Sequence, residues 1–122
     1  MSLLPHDKGA AQVYRNINAN ATGVTITTKP TAVFGIQVTN CAAALRYLKV
    51  YDVIAGATPA NTDTPVVTIA VNANQSVTYS PTCGYQHGYG LGIRATTGVA
   101  DNDTGNPTTN DVIVNIVYAG VP

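Results

Sequence analysis

Nowhere in the chain do helix-favouring residues run further than Cys41-Ala42-Ala43-Ala44-Leu45, and five residues are too few to hold a helix without outside support. A turn or bulge is expected there. The remaining apolar and β-branched residues fall in short runs cut by Gly, Pro, Asn and Asp clusters, the pattern of strands joined by turns. Eight such runs follow one another, at 13–17, 24–28, 33–39, 45–52, 66–71, 75–79, 91–97 and 111–118.

Alternation assigns faces to several of them. Val24, Ile26 and Thr28 share one face, Phe34, Ile36 and Val38 another, and Leu48 and Val50 oppose Tyr47, Lys49 and Tyr51, so each run is expected to bury one side. Val112-Ile113-Val114-Asn115-Ile116-Val117-Tyr118 is apolar on both faces apart from Asn115, which predicts a central strand covered on two sides. Asn72-Ala73-Asn74 reads as a tight hairpin pairing 67–71 with 75–79, because Asn tolerates the left-handed backbone such a turn needs. Two longer polar loops are expected at 55–65 and 98–110.

The fold expected is all-β, a single-domain antiparallel β-sandwich of jelly-roll-like winding; an immunoglobulin-like sandwich is disfavoured by the absence of tryptophan. Residues 1–12, with Pro5 and Gly9, read as an extended N-terminal arm, and 13–122 as the sandwich.

Charge restricts the partners. Only 10% of the 122 residues are charged, against about 25% in a typical soluble domain, and the six acidic residues are all Asp. Six basic residues balance them, so no electrostatic footprint for nucleic acid is present. A neutral, sparsely charged surface gives weak protection against self-association and suits a surface covered by partners. No apolar run approaches the roughly 20 residues of a membrane-spanning helix, and the first residues have neither the basic nor the apolar stretch of a signal peptide; a soluble, unexported chain is expected. Cys41 and Cys83 are expected as buried free thiols in such a chain, although one disulfide between them is the alternative.

Groups for chemistry are sparse. The only histidines are His6, in the arm, and His87, in a glycine-rich loop, and neither lies in a nucleophile or acid–base motif; Cys41 and Cys83 carry none either. No enzyme activity, metal or cofactor is expected. Asp101-x-Asp103 with Gly105 is reminiscent of a calcium loop, but a ligand position is taken by glycine and the chain has no Glu to close the site. A turn in which Asp101 and Asp103 cap backbone N–H groups is expected instead. Gly84-Tyr85-Gln86-His87-Gly88-Tyr89-Gly90 is the most site-like segment, because tyrosines on a permissive backbone anchor protein partners or stack on sugars. Tyr47, Tyr51, Tyr85, His87 and Tyr89 are the candidate subunit or partner contacts; the alternative is that the loop tyrosines finish the core and that Tyr47 and Tyr51 cover the outer face of their strand.

Arg46-Tyr47-Leu48-Lys49-Val50-Tyr51-Asp52, Thr62-Asp63-Thr64-Pro65-Val66-Val67-Thr68-Ile69, the segment Gly90-Leu91-Gly92-Ile93-Arg94-Ala95-Thr96-Thr97-Gly98-Val99-Ala100-Asp101-Asn102-Asp103 and Asn110-Asp111-Val112-Ile113-Val114-Asn115 resemble small virion proteins of tailed double-stranded DNA bacteriophages. The likeness covers residues 34–118. It implies a capsid decoration, or cement, protein made in the host cytoplasm. Such a protein sits on the outer surface of the phage head at joints between major capsid protein subunits, often as a homotrimer. A tail, fibre or knob component is the alternative within the virion, and a carbohydrate-binding receptor-recognition module the alternative outside that family. In the decoration role the arm is the expected capsid-binding element, with Leu3 and Leu4 in apolar contact and His6, Asp7 and Lys8 in polar contact.

Overall fold

A computed structural model describes residues 11–54, 57–81 and 85–120, with the backbone alone at 85–87. Nine strands and no helix are found among the described residues: β1 (Ala11–Asn16), β2 (Val24–Thr27), β3 (Thr31–Asn40), β4 (Arg46–Tyr51), β5 (Val67–Val71), β6 (Gln75–Tyr79), β7 (Tyr85–His87), β8 (Leu91–Thr96) and β9 (Val112–Gly120). β1 pairs with β9, β2 with β8, β3 with β6 and β4 with β5, all antiparallel. The pairs nest like a long two-stranded ribbon whose tip is the β4–β5 connection. The ribbon is rolled over on itself, because β9 also meets β3 and β8 also meets β4. Two sheets result, β1-β9-β3-β6 with β7 added on β3, and β2-β8-β4-β5, so the chain is an antiparallel β-sandwich.

The core lies between the sheets and is built by the alternation seen in the sequence. Ile36 and Val38 of β3 and Val112, Val114 and Ile116 of β9 face Leu48 and Val50 of β4 and Leu91, Ile93 and Ala95 of β8. Each is almost fully withdrawn from water, and burial of a Val, Leu or Ile side chain contributes about 1.5–3 kcal/mol.

Several expectations need correction. Asn74 does take a left-handed backbone (φ 57°), but the turn at 72–74 is no hairpin: β5 pairs with β4, β6 pairs with β3, and the turn carries the chain from one sheet to the other. Phe34 does not share the inward face of Ile36, because a bulge between Val33 and Gly35 shifts the register, buries Val33 and turns Phe34 outward. β9 is central, between β1 and β3, yet among the described residues only its inner face is covered, and Val117 remains exposed. β4 is the reverse case, buried on both faces from Leu48 to Tyr51. The short strand β7 was not expected at all, and β1 starts at Ala11, inside the range assigned to the arm.

Loops account for the second buried face of β4. Arg94 on β8 stands opposite Lys49 on β4, both on the outer face of their sheet, and both are buried. The Arg94 guanidinium donates to the Ala21 carbonyl (2.9 Å), the Asp103 carbonyl (2.7 Å) and the Tyr51 hydroxyl (3.1 Å), while the Lys49 ammonium donates to the Ala100 carbonyl. Asp103 holds the same loop closed, its Oδ1 accepting the N–H groups of Gly98 (3.2 Å) and Gly105 (2.7 Å), as expected of a capping Asp. Two cations thus fasten the loops over the sheet largely through backbone carbonyls.

Burial, and next the neighbouring Arg94 charge, hold the Lys49 pKa below the ordinary lysine value, with Asp103 and Asp101 opposing the shift. Between that lowered value and the ordinary one, the unfolded chain keeps a proton that the folded chain has shed. Stability contributed by Lys49 therefore rises with pH across that window. Lys49→Met removes the titration, so the melting temperature of the variant minus that of wild type is expected to fall from pH 7 towards pH 10. Thermal melts at a series of pH values check this; a constant difference contradicts it.

Candidate functional site

The ribbon's tip, where β4 leaves the sheet and β5 enters it, meets the start of β8, and one carboxylate joins the two segments. Asp52, the first residue after β4, accepts the backbone N–H of Gly88 at Oδ2 (3.0 Å) and those of Tyr89 and Gly90 at Oδ1 (3.0 and 3.1 Å). Three N–H groups converging on one ionised acceptor form a strong, charge-assisted clamp. The Val53 N–H adds a longer bond to the Gly90 carbonyl (3.4 Å). Glycine is required at position 90, since a Cβ there would lie 2.5 Å from the Thr27 carbonyl oxygen and 2.9 Å from that of Val53.

The following loop is tied down as well. Ala57 donates its N–H to the Ile54 carbonyl (2.9 Å), the Thr25 hydroxyl donates to the Ala57 carbonyl (2.9 Å), and Asp63 accepts the Ala60 N–H (2.9 Å). Val66 donates to the Val50 carbonyl (2.7 Å) as the chain rejoins the sheet. These bonds enclose a cleft of about 190 Å³ whose lining includes Tyr51, Asp52, Ile54, Pro59, Asp63 and Thr64.

Large apolar side chains stand out of this tied-down end: Ile54 is 63% exposed, Tyr89 58% and Val66 51%. A fixed backbone lets apolar side chains meet a partner at little ordering cost, which makes the end suited to gripping another surface. Both carboxylates of the cleft already hold backbone N–H groups. Among the described residues, no group of three or more His, Cys, Asp or Glu side chains is placed to hold a metal ion.

The expected contact residues separate here. Tyr89 is exposed at the tip, as a contact residue should be. Tyr51, in contrast, is 2% exposed and its hydroxyl accepts from Arg94, so it holds the loops and leaves almost no surface for a contact. Tyr47 is half-buried on the same outer face as Lys49. Tyr85 and His87 lie on β7, paired with Val33 and Thr31 of β3, and their side chains are outside the described residues. So are the arm residues Leu3, Leu4, His6, Asp7 and Lys8, together with Cys83. Cys41 is a free thiol but exposed, not buried as expected.

Ile54, Val66 and Asp52 were missed from sequence. An isoleucine and a valine flanking an Ala-, Thr- and Pro-rich loop were the available signal for the first two. Nothing local marks Asp52, whose partners lie 36–38 residues further on. No protein-family model matches the chain, and no curated protein matches it.

Proposed function

We propose that the protein is a capsid decoration protein of a tailed phage, which binds the outside of the head and stabilises joints between major capsid protein subunits. The observation that carries this is the clamped end of the sandwich, where Tyr89 projects from a backbone fixed by Asp52 and Ile54 and Val66 from one held by main-chain hydrogen bonds. The phage-like segments in residues 34–118 supply the virion context. We read the nested, rolled ribbon as a jelly roll, a two-sheet winding that makes a stiff body. A stiff body with an apolar end suits a cement, which must span a seam without yielding. Repeated contacts around the head, as a homotrimer or with the arm as a second grip, would strengthen each individually weak one.

Co-sedimentation with heads built from the major capsid protein tests this. Wild-type protein is expected to pellet with the heads, and Ile54→Asp to lose roughly tenfold or more in affinity, since an apolar contact is lost and a charge is brought to the seam. Because Ile54 is exposed, the variant should keep the wild-type melting temperature. Wild-type protein that stays in the supernatant sinks the proposal. Immunogold labelling of the tail instead of the head would move the protein to the tail.

A further inference from the structure

The outer face of the β1-β9-β3-β6 sheet is apolar and nearly without charge. Its register sets Val13 beside Val117 and Val117 beside Gly35, next to the bulge that turns Phe34 outward. Val13, Phe34 and Val117 are 68%, 42% and 37% exposed, and they form one row across three strands. Beside the row opens a groove of about 370 Å³ lined by Phe34, Gly35, Gln37, Thr78, Asn115 and Val117. Gly35 leaves space above the strand, since a Cβ there would meet only Ser80 Oγ, at 4.0 Å.

Several polar groups on this face are bonded to one another. Thr39 and Ser76 share a hydrogen bond between hydroxyls (2.7 Å), and the Arg15 guanidinium donates to Asn115 Oδ1 (3.0 Å). Arg15 is the face's one charged residue among those described, and no carboxylate balances it. β1, which starts the apolar row, pairs only with β9 among the described residues, and its sequence contains neither the Lys nor the Pro that commonly blocks a sheet edge.

We infer that this face is the contact between copies of the protein, with Val13, Phe34 and Val117 at its centre. Charge selects the occupant. An almost uncharged face offers nothing to a nucleic acid or a strongly charged protein, whereas it complements itself. Six basic and six acidic residues leave copies of this chain without net repulsion at neutral pH. A second copy also brings another open β1 edge, on which Arg15 is the one charged residue. The inference stands apart from head binding, which uses the β4–β5 connection and the start of β8 and not this sheet face.

Light scattering coupled to size exclusion, over a range of concentrations, tests it. The wild-type mass is expected to be an integral multiple of the 12.6 kDa chain, at least two. Val117→Lys, and separately Val13→Lys, place a charge at the centre and should weaken association by at least about 100-fold while a cooperative thermal transition persists. Thr64→Lys, in the cleft and off this sheet face, should leave the mass unchanged. A wild-type chain that is monomeric at its highest soluble concentration overturns the inference, as does an oligomer indifferent to both face variants. A monomer that associates only after residues 1–10 are removed also overturns it, and points to the chain's own first residues as the cover. Should the oligomer form and dissolve as expected yet fail to bind heads, the decoration role falls and this contact stands.

Discussion

Arg94→Ala is expected to lower the unfolding free energy by about 3–5 kcal/mol, a fall in melting temperature on the order of 12–20 °C for a chain of this length. The guanidinium satisfies two loop carbonyls and the Tyr51 hydroxyl at once, from a buried position. Truncation leaves all three acceptors without a donor and opens a cavity between β8 and the loops. Relief of the repulsion with Lys49 offsets part of the loss, and the Lys49 pKa should rise towards its ordinary value in the variant. Arg94→Lys is expected to fall between wild type and alanine, because one ammonium cannot reach three acceptors set in the plane of a guanidinium. Urea unfolding measures the effect; a loss under about 1 kcal/mol would show that the loops are held by something else.

Asp52→Ala is the second large effect, about 2–3 kcal/mol, together with loss of partner binding. Its carboxylate accepts three backbone N–H groups, but two of the bonds are exposed and water can replace them in part, which keeps the cost below that of Arg94. The informative readout is local: amide hydrogen exchange at Gly88, Tyr89 and Gly90 should accelerate far more than exchange in β9. Asp52→Asn keeps one carbonyl acceptor for Tyr89 and Gly90 and forfeits the bond to Gly88, so it should show an intermediate phenotype. Unchanged exchange at these amides in Asp52→Ala would remove the clamp from the account.

Strand positions were legible in the sequence because β-branched runs are interrupted by turn residues, and eight of the nine strands fall within two residues or so of the expected runs. Pairing was less legible. Asn74 reveals a left-handed turn, but turn chemistry is local and does not say whether the flanking strands stay in one sheet. At Phe34 the alternation is intact in the sequence, and only pairing with β9 introduces the bulge that breaks it. Lys49 marks a polar face that solvent should reach; what buries it is a loop about fifty residues later, which no local pattern encodes. The apolar outer side of β9 is the converse, since its composition predicts a cover that the described residues of one chain do not supply.

The site was partly legible for the same reason. Tyr89 stands out because aromatic residues among glycines are visible in any window of sequence. The Asp52 clamp exists only once the ribbon's tip has met the start of β8. The central claim is that this clamped end grips the outer head surface. A cryo-electron microscopic reconstruction of the phage particle that carries the chain tests it most directly. Density for the sandwich on the outer face of the head, with Ile54, Val66 and Tyr89 turned towards the major capsid protein, is the predicted result. Density on the tail, or on the head with that end turned towards solvent, would contradict it.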